Sequence, residues 1–386
     1  MKILMTNHQL LGYAGTEVFT YTVAKLLTQK GHEVVVYSPF VGEIGKTFNE
    51  ISVCVYDNAA DLPDDFDLVH VHHNITAYEI RQRFPHLPIV YMAHGIKHPL
   101  EHLPATNLAV SFWVAGSDGI YAHMLNSGIP VEKIRLVRNP VDESNFFPGE
   151  PLPALPKKAL MISNKVDERT ENIIREACGS MGIKIQFIGS RFRAVPNEQI
   201  PGLIRQHDIV FSLGRGVIET MFCGRVPIVF DVEGGDGMVT PENFSEIIKH
   251  NFSSRRFKLQ FTAGALAEEI GKYRPEYGAQ LHDLALQEFS AGSQVERLIN
   301  VYEHAIGKTV PELSAEDNKM IISICEMIDQ TRRFGFHTRD LVVEELGGVK
   351  AYRLLSRLGK LRYLLIPKDS WVLRVLGGMR KKPMIS

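Results

Sequence analysis

The chain has 386 residues, about two to three times the length of a typical single domain, so we expect two domains with separate cores. Hydrophobic residues make up 45% of it and charged residues 23%, which is typical of a folded globular protein and argues against the disordered, collagen-like and coiled-coil classes. Forty-three lysines and arginines balance 44 aspartates and glutamates, and the net charge of -1 argues against a protein that coats nucleic acid.

Short apolar, β-rich segments alternate with helical patterns through the first part of the chain. Several of the predicted strands are apolar on both faces, as in a buried parallel sheet. The predicted strands cover residues 2–6, 33–38, 51–56, 66–72, 88–93 and 108–115, and the predicted helices include 16–30 and 118–127. This alternation predicts a doubly wound α/β domain.

A proline-rich segment, FPGEPLPALP at residues 147–156, separates this pattern from a second one. Each proline removes a backbone donor and favours extended geometry in the residue before it, which is typical of a linker. Beyond it we predict strands at 159–163, 183–188, 208–213 and 226–230, helices near 168–181 and 217–223, and a helical run from about 275 to 306. The pattern predicts two Rossmann-like domains, 1–148 and 149–307, on either side of a cleft, and a helical C-terminal extension, 308–386.

The cysteine pattern and the short apolar runs both favour a cytoplasmic location. The four cysteines, Cys54, Cys178, Cys223 and Cys325, are widely spaced and form no C-x-x-C pair, so neither a disulfide framework nor a zinc site is indicated. The N-terminal sequence MKILMTNH lacks the apolar core of a signal peptide, and no apolar run approaches the ~20 residues of a membrane span. We therefore expect a cytoplasmic protein, either free or peripheral on the inner face of a membrane.

Two glycine-containing turns are candidate ligand sites. The first reads LGYAGTE at residues 11–17, where Gly15 precedes a helix whose N-terminal N–H groups suit an anion. The second reads GRG at residues 214–216 and leads into a helix that carries Glu219. There Arg215 and the backbone could bind a diphosphate, and Glu219 could accept hydrogen bonds from both hydroxyls of a ribose. Ordinary turns, with a glutamate favoured by the helix dipole, explain the same residues, and spacing alone leaves both interpretations open.

Five segments, in order, resemble the motifs of one enzyme family, the retaining GT-B-fold glycosyltransferases of family 4. The segment GRGVIETMFCGRVPIV at 214–229 resembles the nucleotide-sugar loop of that family. The other similar segments are the glycine-rich loop at 12–17, the histidine turn AHG at 93–95, the hinge IRLVRNPVD at 134–142 with FFP at 146–148, and the Gly-Gly loop EGGDGMVTPEN at 233–243. The resemblance covers roughly residues 1–307.

The resemblance implies a GT-B fold and the transfer of a sugar from a nucleotide-sugar donor to an acceptor hydroxyl, with retention and without a cofactor or an obligatory metal. Such chemistry requires a charge-neutralised leaving diphosphate in a closed cleft. Glu219 would bind the ribose, the turn 214–216 the diphosphate, and His94 would lie against the reacting sugar. The site residues that we expect are His94 and Glu219 for catalysis, and Gly15, Lys165, Arg169, Arg191, Gly214, Arg215, Gly216 and Glu219 for donor binding.

The sequence departs from this family at two motif positions. Phe211 stands where the family has the first glutamate of its Glu-x7-Glu motif, and Asn164 stands where it has an arginine that holds the diphosphate. The family's lysine position is Arg169, with Lys165 next to Asn164, so a cation is still available. Lys165, Arg169 or Arg191 would supply the counter-charge, although Arg191 is equally consistent with a solvated surface charge.

Histidine is abundant between residues 70 and 102, and a metal site there has to be considered. The residues are His70, His72, His73, His86, His94, His98 and His102. On a strand His70 and His72 share one face, and His73 points to the other. Because no cysteine and few carboxylates accompany them in the order that metal sites favour, we do not expect a bound metal.

The C-terminal segment 349–386 contains ten lysines or arginines and one acidic residue, so it carries +9 and the rest of the chain -10. On a helix Leu354, Leu358, Leu361 and Leu365 would form a stripe between basic flanks. This arrangement could bind an anionic membrane surface, and a helix packed on the body with a solvated basic face would account for it equally well. Nucleic-acid binding is not indicated, because no recognition motif accompanies the charge.

Together these features predict a nucleotide-sugar-dependent hexosyltransferase. Its partners would be a nucleotide-sugar donor and a glycan or lipid-linked acceptor, as in the synthesis of cell-envelope polysaccharide or glycolipid. Two alternatives stay open. One is a GT-B-fold sugar-nucleotide epimerase, and the other is a non-catalytic GT-B-like binding or scaffold subunit, which Phe211 and Asn164 would favour.

Overall fold

The structure is a computed structural model that describes residues 1–345 except positions 14, 190, 193, 194, 233 and 255. Strands and helices alternate in its first part. The elements there are β1 (Lys2–Thr6), α1 (Gly15–Gln29), β2 (Glu33–Tyr37), α2 (Glu43–Thr47), β3 (Cys54–Tyr56), β4 (Leu68–His72), α3 (Asn74–Arg83), β5 (Ile89–Ala93), β6 (Val110–Ala115), α4 (Asp118–Asn126) and β7 (Ile134–Leu136).

These seven strands form one parallel sheet in the order β3-β2-β1-β4-β5-β6-β7. Strand β5 is buried along its whole length, in agreement with its apolar sequence. Strand β1 has β2 on one side and β4 on the other, so the order of the strands reverses there. Ligands of such sheets bind beyond the carboxyl ends of the strands at the point of reversal.

The second part of the chain repeats the alternation and ends in helices. Its elements are β8 (Lys158–Ile162), α5 (Glu168–Ser180), β9 (Lys184–Ile188), α6 (Ile200–Arg205), β10 (Ile209–Ser212), α7 (Arg215–Phe222), β11 (Val226–Asp231), β12 (Gly234–Met238), α8 (Phe244–Ile247), α9 (Ala263–Ile270), α10 (Glu276–Phe289), α11 (Ala291–Ile306) and α12 (Ala315–Glu345). The sheet has the order β12-β11-β10-β8-β9, and only the edge strand β12 is antiparallel to its neighbour among these described strands.

The chain passes between the two sheets at two adjacent points. Val141 lies on the outward segment after β7, and Ser290 lies on the return segment, where it interrupts the predicted helical run between α10 and α11. The Val141 N–H donates to the Phe289 carbonyl at 3.0 Å, and the Ala291 N–H donates to the Val141 carbonyl at 3.2 Å. These bonds hold the two crossing segments side by side.

Helix α11 packs on the first sheet, although it follows the second one in sequence. Val295, Leu298 and Tyr302 are buried in one hydrophobic cluster with Ile3 and Phe19 of the first sheet and its helix α1. An amphipathic helix lowers its free energy by covering apolar surface, and the face of the first sheet next to α1 provides it. The chain therefore completes the core of the first sheet only after it has built the second.

Helix α12 continues over the first part of the molecule and packs against α3. Ile321 and Cys325 on α12 are buried in a hydrophobic cluster with Tyr78 of α3. The predicted boundaries after residues 148 and 307 remain predictions, and residues 346–386, with the basic segment, lie outside the described part of the chain. None of the described helices is long and apolar enough to cross a lipid bilayer.

Candidate functional site

The carboxyl ends of the parallel strands carry most of the side chains that the sequence indicated. In the first sheet His94 directly follows β5, and in the second Lys165 follows β8, Arg191 follows β9 and Gly214 follows β10. These last three strands are neighbours in the order β10-β8-β9. Adjacent strands lie about 4.8 Å apart, so the three strand ends fall within about 10 Å of one another. The structure thus brings the expected diphosphate-side residues to one edge of the second sheet.

The Gly-Arg-Gly turn owes both of its glycines to backbone geometry. Gly214 has a φ of +55°, a conformation that other residues rarely adopt, and its N–H donates to the Phe252 carbonyl at 2.8 Å. A Cβ on Gly216 would come within 2.3 Å of the Ser212 Oγ, so a larger residue there would have to displace that side chain. The Gly214 N–H is therefore already paired, which leaves a larger share of any phosphate binding to Arg215 and the first N–H groups of α7.

Arg215 and Glu219 form an ion pair on α7. The Arg215 Nε donates to the Glu219 Oε1 at 2.7 Å, and its Nη1 donates to the carbonyl of Pro140 at 3.1 Å. The exposed fraction of the side chain is 15% for Arg215 and 10% for Glu219. Burial raises the pKa of Glu219, while the charge and the hydrogen bond of Arg215 act in the opposite direction. The pair links the second sheet to the segment that joins the two sheets.

The three remaining cations are exposed at the same edge. Lys165 and Arg169 flank the start of α5 with exposed side chains. Arg191 is 40% exposed, and its Nη2 lies 3.3 Å from a carboxylate oxygen of Glu171. Exposed pairs of this kind are worth little energetically and exchange partners readily. All three cations are thus available to an anion, and their positions do not single out one of them.

The two departures from the family pattern have different surroundings. Phe211 lies within β10, is fully buried, and packs in a hydrophobic cluster with Met161 and Ile228 of the neighbouring strands. It therefore presents no polar group to a ligand. Asn164 is exposed and immediately follows Ser163 at the end of β8. Phe211 therefore cannot make the donor contact that the family makes through the first glutamate of its Glu-x7-Glu motif.

His94 belongs to a cluster of three imidazole rings at the carboxyl ends of β4 and β5. Its ring lies nearly in the plane of the His72 ring, with centroids 4.9 Å apart, and the His72 Nδ1 and the His94 Nε2 share a hydrogen bond of 2.7 Å. The His70 ring stacks on that of His72 at 4.5 Å, and its Nδ1 is hydrogen-bonded to the hydroxyl of Tyr302 on α11. Phe19 contacts the His94 ring edge-on at 4.7 Å.

Burial favours the neutral form of His70 and His94 at physiological pH. Burial lowers the pKa of His94 to about 4, against the opposing charge of Glu101, and burial lowers the pKa of His70 to about 3. Burial alone would raise the pKa of Glu101, but a hydrogen bond with His73 and the nearby histidine charges hold it at about 2. The Glu101 Oε2 also accepts the backbone N–H of His94 at 3.1 Å. The neutral His94 ring therefore carries no fixed charge, and because its Nε2 is shared with His72, a ligand could contact it only through Nδ1.

Two of these partners were not recognised from the sequence. The contact between His72 and His94 depends on β4 and β5 being neighbours, in a register that pairs His72 with Met92. Glu101 lies seven positions beyond His94 in the histidine-rich segment, and a lone glutamate there carries no signal. The sequence analysis correctly predicted that His70 and His72 share one face, because alternate residues of a strand point to the same side of the sheet.

Gly15 is the first residue of α1 at the carboxyl end of β1. A Cβ on it would meet nothing within 4 Å, so the space beside this helix terminus is open. Next to it the buried Glu17 accepts hydrogen bonds from the Gln9 side chain at 3.2 Å and from the Thr16 hydroxyl at 2.8 Å. The terminus has both the free space and the fixed polar groups that a ligand site requires.

The described residues were also compared with the requirements of a metal site. Within them no group of three or more histidine, cysteine, aspartate or glutamate side chains is arranged to hold an ion.

No protein-family model and no curated protein sequence matches the chain. Among solved structures, HepE of Anabaena in complex with UDP-glucose is similar over 78% of this chain and 99% of that one, with a TM-score of 0.57 and 16% identity. Sucrose-phosphate synthase of Thermosynechococcus elongatus is similar over 78% and 98%, with a TM-score of 0.52 and 12% identity. AviGT4, a glycosyltransferase involved in avilamycin A biosynthesis, is similar over 80% and 99%, with a TM-score of 0.50 and 15% identity. At these identities the likeness shows the fold, and the chain therefore has the predicted GT-B architecture of two Rossmann-like α/β domains, with α12 as the described part of its helical extension.

Proposed function

We propose that the chain is a retaining, family 4-type glycosyltransferase that moves a hexosyl group from a nucleotide-sugar donor to a hydroxyl of a glycan or lipid-linked acceptor. One observation carries the proposal: Glu219, a buried carboxylate, lies one turn into α7, the helix that follows β10, and is paired with Arg215 at the first position of that helix. This is where the sequence resemblance expects a carboxylate for the ribose. HepE, which has the same fold, was solved with UDP-glucose, and this supports a nucleotide-sugar donor.

The other site residues have distinct parts in the proposed reaction. The leaving diphosphate gains negative charge in the transition state, and Arg215, the N-terminus of α7 and the exposed cations Lys165, Arg169 and Arg191 would stabilise it. His94 would hold a hydroxyl of the sugar through its neutral ring. Because these cations supply the compensating charge, the transfer needs no divalent metal.

The Glu219→Gln variant tests the proposal. It keeps the size of the side chain but replaces a charged acceptor, so we expect a loss of about tenfold or more in donor affinity. Calorimetry with UDP-, GDP- and ADP-sugars identifies the donor, and product analysis with and without EDTA measures transfer. Glu268→Gln, at an exposed position on α9, is the control and should leave binding unchanged. The proposal is wrong if no nucleotide-sugar binds, or if Glu219→Gln binds and transfers like the wild type.

A non-catalytic binding subunit is the second candidate, and Phe211 favours it. This side chain is buried where the family has a donor-contacting glutamate. Such a subunit would bind a nucleotide-sugar without consuming it. Complete retention of the donor in the presence of a wide acceptor panel, together with measurable binding, would favour the subunit over the enzyme.

We further propose that the basic segment 349–386 holds the protein at an anionic membrane, where envelope polysaccharide or glycolipid is made. A charge of +9 in so short a segment is attracted to anionic headgroups, and salt screens this attraction. We expect the full chain to cosediment with phosphatidylglycerol vesicles at low salt and to be released at high salt. A chain that lacks 349–386 should not sediment, and equal sedimentation of the two forms would contradict the proposal.

A further inference from the structure

The carboxylate that the proposed function assigns to the ribose is already occupied. The Arg215 Nε donates to the Glu219 Oε1 at 2.7 Å, and only 10% of the Glu219 side chain is exposed. A ribose diol that places one hydroxyl on each carboxylate oxygen competes with Arg215 for Oε1. It gains the full acceptor capacity of Glu219 only when the Arg215 guanidinium moves away.

Displacement of Arg215 has a cost that depends on the incoming ligand. The Arg215 side chain is 15% exposed, and its second partner among the described residues is the neutral carbonyl of Pro140 at 3.1 Å. A ligand that offers only hydroxyls would replace a charge-assisted pair and leave a largely buried cation without an anion. A ligand that also carries a diphosphate supplies a new anion for the same cation.

The geometry of the turn places that anion within reach of Arg215. Arg215 is the first residue of α7, and anions bind at helix N-termini. The Gly214 N–H is bonded to the Phe252 carbonyl at 2.8 Å and is withheld from a ligand. Arg215 therefore takes over part of the phosphate binding that the backbone of the turn would otherwise supply.

We propose that Arg215 makes the site selective for nucleoside diphosphates over nucleosides, because it closes Glu219 to the ribose until a diphosphate draws the guanidinium away. This inference rests on the proposed function, in which Glu219 binds the ribose. It adds a specificity-determining exchange of partners, from Glu219 and Pro140 in the free protein to the diphosphate in the complex.

The Arg215→Met variant tests the exchange, since methionine fills similar space without the charge or the donors. Calorimetry measures the affinities for uridine and UDP, adenosine and ADP, and guanosine and GDP. For the base that the wild type accepts, we expect Arg215→Met to bind the nucleoside about tenfold more tightly and the diphosphate about tenfold more weakly. Arg169→Met removes an exposed cation at the same edge, and it should weaken the diphosphate without tightening the nucleoside.

The outcomes separate this inference from the proposed function. Failure of the wild type to bind any nucleotide would overturn both. Binding of a diphosphate by the wild type, with unchanged or weaker nucleoside binding by Arg215→Met, would overturn the inference and leave the proposed function intact. Arg215→Gln provides a second variant, and thermal unfolding of each variant confirms that it is folded. In the Arg215→Met background, Glu219→Gln should abolish the gain in nucleoside affinity.

Discussion

At the residue scale, buried histidines make the free energy of unfolding depend on pH. His70 is fully buried between Tyr302 and His72, and burial lowers its pKa from the usual 6.5 to about 3. Below pH 6.5 the unfolded chain binds a proton that the folded chain rejects. The contribution of His70 to stability is therefore complete above about pH 6.5 and is lost as the pH falls towards 3.

The His70→Asn variant removes this titration. We expect the free energy of unfolding of the wild type to fall by about 2 kcal/mol more than that of His70→Asn between pH 7 and pH 5. Urea titrations at the two pH values measure the difference. His86→Asn, at an exposed position, serves as the control and should retain the full dependence on pH. Equal slopes for the wild type and His70→Asn would contradict the neutral, buried state of this ring.

Residue-level prediction from the sequence succeeded where the relation is local. Strand periodicity predicted that His70 and His72 share one face. The ion pair of Arg215 with Glu219, one helical turn apart, was not predicted, because the sequence analysis assigned each side chain to a ligand. The hydrogen bond from Arg215 to Pro140 joins residues 75 positions apart, and the occupation of the Gly214 N–H by Phe252 depends on the path of a loop. No pattern of residue types encodes either contact, because both depend on how distant segments pack.

At the element scale, the strands with strong apolar patterns were predicted within a few residues, and two strands and several helices were missed. Strand β12 has the sequence GGDGM, which disfavours a strand, and it forms because it pairs with β11 at the edge of the sheet. Strand β7 has three residues, which are too few to show an alternation of apolar and polar side chains. Helix α3 alternates polar and apolar residues without a clear stripe, and its packing against α12 stabilises it.

The docking of α12 on α3 depends on one ion pair in addition to its apolar contacts. Arg332 on α12 pairs with both oxygens of Glu79 on α3, and the side chains are only 18% and 14% exposed. Removal of one partner leaves a largely buried charge uncompensated. We expect Arg332→Ala to lower the free energy of unfolding by about 1–3 kcal/mol and to speed amide hydrogen exchange in α12.

A neighbouring arginine on the same helix provides the control for this docking. Arg333 pairs with Asp329, and their side chains are 79% and 57% exposed. Arg333→Ala should therefore change the free energy of unfolding by less than about 0.5 kcal/mol. In a double-mutant cycle, Arg332→Ala and Glu79→Ala should be strongly non-additive. Additive effects would mean that apolar packing alone holds α12.

At the scale of the whole molecule, the order of the chain and the division into domains do not coincide. Sequence periodicity predicted two sheets, and the range predicted for the second domain, residues 149–307, includes α11 because the helix follows the second sheet along the chain. Its Val295, Leu298 and Tyr302 instead lie in the core around Ile3 and Phe19. The apolar stripe of an amphipathic helix predicts that the helix packs on an apolar surface, but it does not identify that surface.

The first domain should therefore need α11 to fold. We expect a fragment of residues 1–148 to show no cooperative thermal unfolding, because one face of its sheet lacks the helix that buries it. The same fragment joined through a Gly-Ser linker to residues 291–345 should unfold cooperatively. Circular dichroism and amide proton dispersion distinguish the two. A cooperative transition in the 1–148 fragment alone would show that α11 is dispensable.

The paired crossings at Val141 and Ser290 have a mechanical consequence for the cleft. Two covalent connections that lie side by side allow the domains to rotate about the line through both, and they resist sliding or separation along any other direction. A small rotation about such an axis hardly moves the groups beside it, such as Arg215 and Pro140, and it moves the distant rims of the two sheets furthest. Opening and closing of the cleft would thus change its width most at those rims, while the groups near the axis keep their geometry.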